Sequence, residues 1–223
     1  MPGEGGPDPL LIVCALGIEH LALRSAVRDA RGTRPGPAGP VALLRTGMGP
    51  RAARRAVDRM LGDQLRTGFA GVIATGFCAG LAPGMRPGDL VVAEEVRDAE
   101  GRMRCTGSDR LASALARLGT VHTGPLVSSD HVVRGAERTR LRATGALAVD
   151  MESAVTLRTA TRSVAGTARG TCPIAAVRVV VDAPEHELVR LATVSGGISA
   201  FRVLRSVLPA FYEWHRSLLL PWR

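Results

Sequence analysis

The sequence predicts a three-layer α/β fold on a central mixed, mostly parallel sheet, and three observations carry that prediction. Short, continuous apolar runs alternate along the chain with segments of helical periodicity. The runs lack the in–out alternation of a one-sided sheet, so they read as strands covered on both faces. Several end in glycine, serine or an acid, as strands do when their ends open on a crevice.

Residues 1–9 read as a disordered Gly/Pro leader, residues 10–217 as one domain and residues 218–223 as a tail. The first strand is Leu10-Leu11-Ile12-Val13-Cys14-Ala15, followed by Leu16-Gly17-Ile18-Glu19-His20 and a helix carrying Leu21, Leu23 and Val27. A Pro/Gly loop over 32–40 leads to a second strand over 41–45. Thr46-Gly47-Met48-Gly49-Pro50 then opens an Arg/Ala helix over 51–66, with Pro50 suited to the first helical position. Its glycines let backbone approach a ligand, although the turn is neither a Walker loop nor a G-x-G-x-x-G fingerprint.

A third strand over 71–75 runs into a small-residue loop, Gly76 to Gly84. The turn Pro87-Gly88-Asp89 precedes a strand over 90–93, and residues 108–118 read as a helix. A strand over 121–127 ends in Ser128-Ser129-Asp130-His131, and residues 134–145 are helical. Leu147-Ala148-Val149 closes on Asp150-Met151-Glu152, which opens a helix over 151–162. After a Gly-rich basic connection over 165–171, a strand over 174–181, interrupted only by Arg178, delivers Asp182. One long helix over 193–217 ends the domain.

Asp150 and Glu152 stand two residues apart, so on a regular helix they point in different directions. One can face a ligand while the other caps the helix; the alternative is that both simply complement the helix dipole. Glu19, Glu152 and Asp182 each follow a strand, and in a parallel sheet those ends share one side. With two Gly-rich loops, they suggest a site for a small polar ligand.

Composition narrows the classes. Apolar residues make up 46% of the 223, but aromatics only 3%, so the core must be built from Ala, Val and Leu. All 29 basic residues are Arg and the net charge is +9. That charge favours an acidic partner such as phosphate or an anionic membrane surface. The arginines are scattered without interleaved aromatics, which argues against nucleic acid. Cys14, Cys78, Cys105 and Cys172 are widely spaced, indicating neither a zinc site nor a disulfide framework. No run approaches the ~20 apolar residues of a membrane span. A reducing cytoplasm is the expected compartment.

Taken together, Ala15-x-x-x-Glu19, Thr75-Gly76-x-x-Ala79-Gly80-Leu81 followed by Gly88-Asp89-Leu90-Val91-Val92, Asp150-Met151-Glu152 and Val177-Arg178-x-x-x-Asp182 resemble the nucleoside phosphorylase/nucleosidase superfamily. Their order and spacing fit the branch containing methylthioadenosine/S-adenosylhomocysteine nucleosidase. The resemblance spans residues 10 to about 205 and implies a nucleoside phosphorylase-like fold. It also implies cleavage of the N-glycosidic bond of an adenine nucleoside by water, with no cofactor, in a homodimer. It makes Glu19 and Asp182 catalytic: Glu19 deprotonates the attacking water, and Asp182 gives a proton or hydrogen bond to the adenine N7 edge. To donate, Asp182 has to be protonated, by burial or by neighbouring acids. Glu152 then hydrogen-bonds the ribose hydroxyls and Met151 packs beneath the sugar. Ser128 and the Val132-Val133 backbone contact the base, and Gly76 and Phe77 complete the pocket.

Two positions depart from the family pattern. Val181 replaces the usual Ser before the acid, and Val132 replaces an aromatic that sandwiches the base, leaving Phe77 to supply a ring. Phosphorolysis is the alternative chemistry, because Arg45 and Arg51 flank the 46–50 turn; a non-catalytic nucleoside-binding protein is the second. The chain further resembles the hopanoid-associated phosphorylase branch, through Thr46-Gly47-Met48-Gly49-Pro50 above all. That resemblance implies adenosylhopane as the substrate. The aromatic and leucine-rich stretch from Phe211 to Arg223 fits peripheral membrane contact, or equally a helix end packed on the core.

Overall fold

The computed structural model describes residues 8–32, 40–63, 69–164, 172–184 and 192–219. The greater parts of the leader, of the 32–40 loop and of the tail lie outside these residues, as does all of the 165–171 connection. The described chain is a three-layer α/β fold. In order it runs β1 (Leu10–Cys14), α1 (Gly17–Gly32), β2 (Val41–Arg45), α2 (Pro50–Asp63), β3 (Gly71–Gly80), β4 (Leu90–Asp98) and β5 (Gly101–Arg104). It continues with α3 (Ser108–Leu115), β6 (Val121–Ser128), α4 (Ala136–Ala143), β7 (Ala148–Asp150), α5 (Ser153–Val164), β8 (Ile174–Asp182), α6 (Ala192–Ser206) and α7 (Leu208–Leu219).

The strands lie in the order β2-β1-β3-β7-β6-β4-β5, and β8 pairs with both β3 and β4. Pairing of β3 with β7, β7 with β6, β6 with β4 and β4 with β8 therefore closes a ring back onto β3. Most pairs are parallel, but β3·β7, β4·β5 and β4·β8 are antiparallel, so the sheet is mixed. The apolar runs are buried on both faces because helices cover both. Leu10, Ile12, Val177 and Val179 face one core with α1, α3, α6 and α7; Leu11, Val13, Ala176 and Val180 face the other with α2 and α5.

Several boundaries differ from the sequence reading. Strand β3 continues through the expected loop to Gly80, and β4 extends to Asp98 and turns back as β5. The single terminal helix is two, α6 and α7, broken at Val207: Pro209, in the first turn of α7, has no N–H to carry the ladder back to Arg205 and its ring crowds that carbonyl. Phe211 and Trp214 of the terminal stretch are core residues, fully buried, and the Trp214 indole N–H donates to the Thr106 carbonyl at 2.7 Å. For residues 211–219 the helix end packed on the core is thus the arrangement present. Among the described residues no helix is long and apolar enough to cross a membrane.

Candidate active site

The extended half of β3 is the spine of the site. Its Thr75 carbonyl accepts a hydrogen bond from Arg178 Nη1 at 3.0 Å, and its Phe77 N–H donates to Glu19 Oε1 at 2.7 Å. Ala79 lies opposite Val149 of β7 and Asp182 of β8. Glu19 and Asp182 follow the ends of β1 and β8, both parallel to β3, whereas Glu152 arrives by way of β7, which runs antiparallel to β3.

Glu19 sits in the first turn of α1, almost wholly buried. Its Oε2 accepts the backbone N–H groups of Ala15 and Leu16 at 2.9 and 2.8 Å. Burial pushes its carboxyl above the usual range, against the pull of Arg178 and the three N–H donors. Gly76, with φ +135°, makes this fit possible. A Cβ there would sit 2.5 Å from Glu19 Oε1 and 2.8 Å from Arg178 Nη1.

Arg178, the one charge in the apolar run of β8, is the hub. Its Nε and Nη2 donate to Ser153 Oγ at 3.1 and 2.8 Å, and Nη2 lies 2.6 Å from Asp150 Oδ2. Burial works against its charge, but Asp150, Glu152 and Glu19 more than offset that. Asp150 takes the capping role: its oxygens accept the Ser153 N–H at the start of α5, at 3.3 and 3.4 Å. Its Oδ1 also accepts the Ser128 hydroxyl at 2.5 Å, and Ser128 Oγ accepts the Ala154 N–H at 2.9 Å.

Glu152 is the other half of the pair. Its Oε1 accepts the Gly49 N–H at 2.7 Å, so the 46–50 turn closes on this carboxylate rather than on a bound anion. Burial pushes the Glu152 carboxyl up, Arg178 opposes it, and Asp150 adds to the rise. Met151 is half-buried and, with Ser128, lines a cavity of ≈ 620 Å³ bounded by Pro50, Asp98 and Leu141. Glu19, Glu152 and Asp182 lie outside that cavity's lining.

Asp182 ends β8, where the register with β3 shifts past Val181, a bulge that re-aims the acid. Its Oδ2 is ion-paired with Nη2 of Arg138 from α4. The neighbour is a cation, not the acid that a protonated Asp182 calls for. Val133 is buried with Leu81 and Val149, whereas Val132 is 58% exposed. The Phe77 ring packs against the first core, as does Val181. Arg45 and Arg51 are exposed.

The sequence pattern includes Arg178 without giving it a role, although a lone guanidinium in a buried strand must find partners. Arg138 carries no signal, being one arginine among 29 on an otherwise polar helix. Among the described residues no cluster of His, Cys, Asp and Glu suits a metal ion.

The arrangement thus holds Glu19, Asp150 and Glu152 around one guanidinium, a local surplus of negative charge in a largely dry site. Such a site favours a cation developing beside it.

Comparison with known proteins agrees with this fold. The chain is similar to the structure of a 5′-methylthioadenosine/S-adenosylhomocysteine nucleosidase from Helicobacter pylori, with TM-score 0.71 and 14% identity over 94% of this chain and 99% of that one. It is similar to the same enzyme from Neisseria meningitidis, at TM-score 0.69 and 18% identity over 96% and 100%. Futalosine hydrolase of Helicobacter pylori aligns at TM-score 0.71 and 14% identity over 92% and 97%. No curated protein matches the chain. The family model of the Phosphorylase superfamily matches residues 30–209, from the end of α1 into α7, leaving Glu19 to be placed by geometry alone. With most of its length matched and this fold around the paired acids, the chain belongs to the Phosphorylase superfamily.

Proposed function

We propose that the protein cleaves the N-glycosidic bond of an adenine nucleoside with water, releasing adenine. The observation that carries this reading is the convergence of Glu19 and Glu152, both buried, on the single guanidinium of Arg178. Breaking a C1′–N9 bond leaves positive charge on the sugar, and a carboxylate beside it in a dry pocket lowers that barrier. Glu152 is the acid for the ribose hydroxyls. Glu19, fixed by three backbone donors and pushed toward a base that titrates nearer neutrality, takes the proton of the attacking water. Solved structures similar to this one come from proteins named as methylthioadenosine/S-adenosylhomocysteine nucleosidases, some of them bound to adenine.

The substituent on the 5′ carbon is the finer question, and adenosylhopane is the substrate we propose. Exposed apolar residues stand next in sequence to the site residues: Ile18 beside Glu19, Met48 beside Gly49 and Val132 beside Val133. Exposed apolar side chains beside these positions suit a lipid-linked nucleoside better than a small soluble one. The enzyme then works as a homodimer in the cytoplasm, touching the membrane peripherally.

The test is turnover of a panel of adenine nucleosides by wild type, Glu152→Gln and Asp182→Asn. Release of adenine that falls at least ~tenfold in both variants, with folding preserved, is the expected result. Unchanged turnover in both would mean that the proposed site is wrong. Efficient cleavage of methylthioadenosine with none of adenosylhopane in liposomes would overturn the lipid assignment alone.

A further inference from the structure

Asp182 and Arg138 meet through one oxygen and one nitrogen, Oδ2 and Nη2. A guanidinium and a carboxylate can instead make two parallel hydrogen bonds. Here the second is missing: Asp182 Oδ1 and Arg138 Nε are each buried without a partner among the described residues. Unpaired buried polar groups cost free energy, so this ion pair carries an acceptor and a donor that a ligand could satisfy. A 6-aminopurine offers the matching pair on one edge, N7 as acceptor and the amino group as donor, whereas a 6-oxopurine offers two acceptors. The carboxylate of an ion pair has no proton to give. Helix α4 has no fully buried residue and meets a core only through the half-buried Leu141, against Leu81, Val133 and Val149, so the element carrying Arg138 can shift to admit a base with little loss of packing.

We propose that Arg138 is a base-recognition residue whose guanidinium donates to N7 of a 6-aminopurine while the Asp182 carboxylate accepts from the amino group. This rests on the nucleoside reading above and moves the N7 contact from Asp182 to Arg138. As the C1′–N9 bond breaks, its electron pair passes to the purine, and Arg138 stabilises that charge without giving up a proton. The water oxygen forms the new bond to C1′. One water proton stays on that oxygen as the new hydroxyl, and the other leaves by way of Glu19 and solvent and neutralises the purine.

The experiment is titration of adenine and hypoxanthine into wild type, Arg138→Gln and Arg138→Lys, with melting curves as the folding control. Adenine affinity should fall ~tenfold or more in Arg138→Gln and recover in part in Arg138→Lys, while its margin over hypoxanthine, which rests on the Asp182 carboxylate, is kept. Adenine binding by Arg138→Gln equal to or tighter than wild type would make Arg138 a plug that substrate displaces, and the proposal would fall. Should the variants not fold, wild type alone decides. Its adenine affinity should stay level from about pH 6 to about pH 9, since arginine keeps its charge. A loss of about tenfold per pH unit would mean that a protonated Asp182 is the donor, and would overturn the proposal. A wild type that binds adenine in this manner but releases none from nucleosides would sink the hydrolase reading and leave this one standing.

Discussion

Gly76 illustrates how one missing side chain sets the chemistry. Its hydrogen lies where a methyl group would press on both Glu19 and Arg178, and its φ of +135° is closed to other residues. Gly76→Ala is expected to push the Glu19 carboxyl off its three N–H donors. Turnover should fall roughly 100-fold or more, while the melting temperature drops only a few degrees. Equal loss of folding and activity would show the glycine to be merely structural. Glu152 poses the opposite balance. Its carboxyl titrates above the ordinary range in the folded chain, chiefly through burial, so the unfolded chain ionises first as pH rises. Stability from this group is present at acid pH and is lost as pH climbs through the unfolded value toward the folded one. Wherever the folded chain holds this carboxyl ionised, the buried charge therefore costs stability. Glu152→Gln keeps an oxygen for the Gly49 N–H, and should melt higher than wild type at neutral pH while losing activity. A lower melting point at that pH would contradict the assignment.

Among the elements, those announced by long apolar runs were legible: β1, the first half of β3 and β8 stand close to where periodicity puts them. What escaped was set by partners far along the chain. Gly76 to Gly80 reads as loop because small residues carry no strand preference, yet pairing with β8 on one side and β7 on the other extends the strand. Strand β5 is short, polar and exposed, and its ladder with β4 is all that defines it. Pro209 does signal the break between α6 and α7, but the apolar spacing of the stretch runs through it and favours one continuous helix. Helix α7 carries a consequence of its own. His215 is 2% exposed, and neither ring nitrogen has a partner among the described residues. Burial holds it below its ordinary value of 6.5, so the unfolded chain takes up the proton first as pH falls. The stability that a neutral His215 contributes is complete above that value and is lost below it, as pH approaches the folded value. Melting temperature should therefore drop between about pH 7 and pH 5, and His215→Leu should flatten part of that slope. An unchanged slope would remove His215 as the cause.

At the scale of the whole molecule, Glu19, Glu152 and Asp182 were legible as acids that follow strands, Arg178 only as the lone charge of a buried strand, and Arg138 not at all. Arginine is so abundant in this chain that composition offers no reason to separate Arg178 and Arg138 from the solvated rest. The same abundance bears on the choice between water and phosphate. A chain with net charge +9 draws phosphate toward its surface, but cleavage by phosphate needs a cation free to hold it beside C1′. Arg178 has its donors engaged by Thr75, Ser153 and Asp150. Glu19, Asp150 and Glu152 surround it, and an anion entering there meets more negative charge than positive. Arg45 and Arg51 reach solvent, so neither is desolvated enough to compete strongly for an ion in physiological salt. Adenine release is accordingly expected to proceed at the same rate with and without phosphate, with free sugar as the second product. Strict dependence on phosphate, with the sugar 1-phosphate appearing in step with adenine, would put an arginine in the role proposed for Glu19. In that case Arg45→Ala should abolish the phosphate effect and Glu19→Gln should not, a reversal that product analysis of the two variants reads directly.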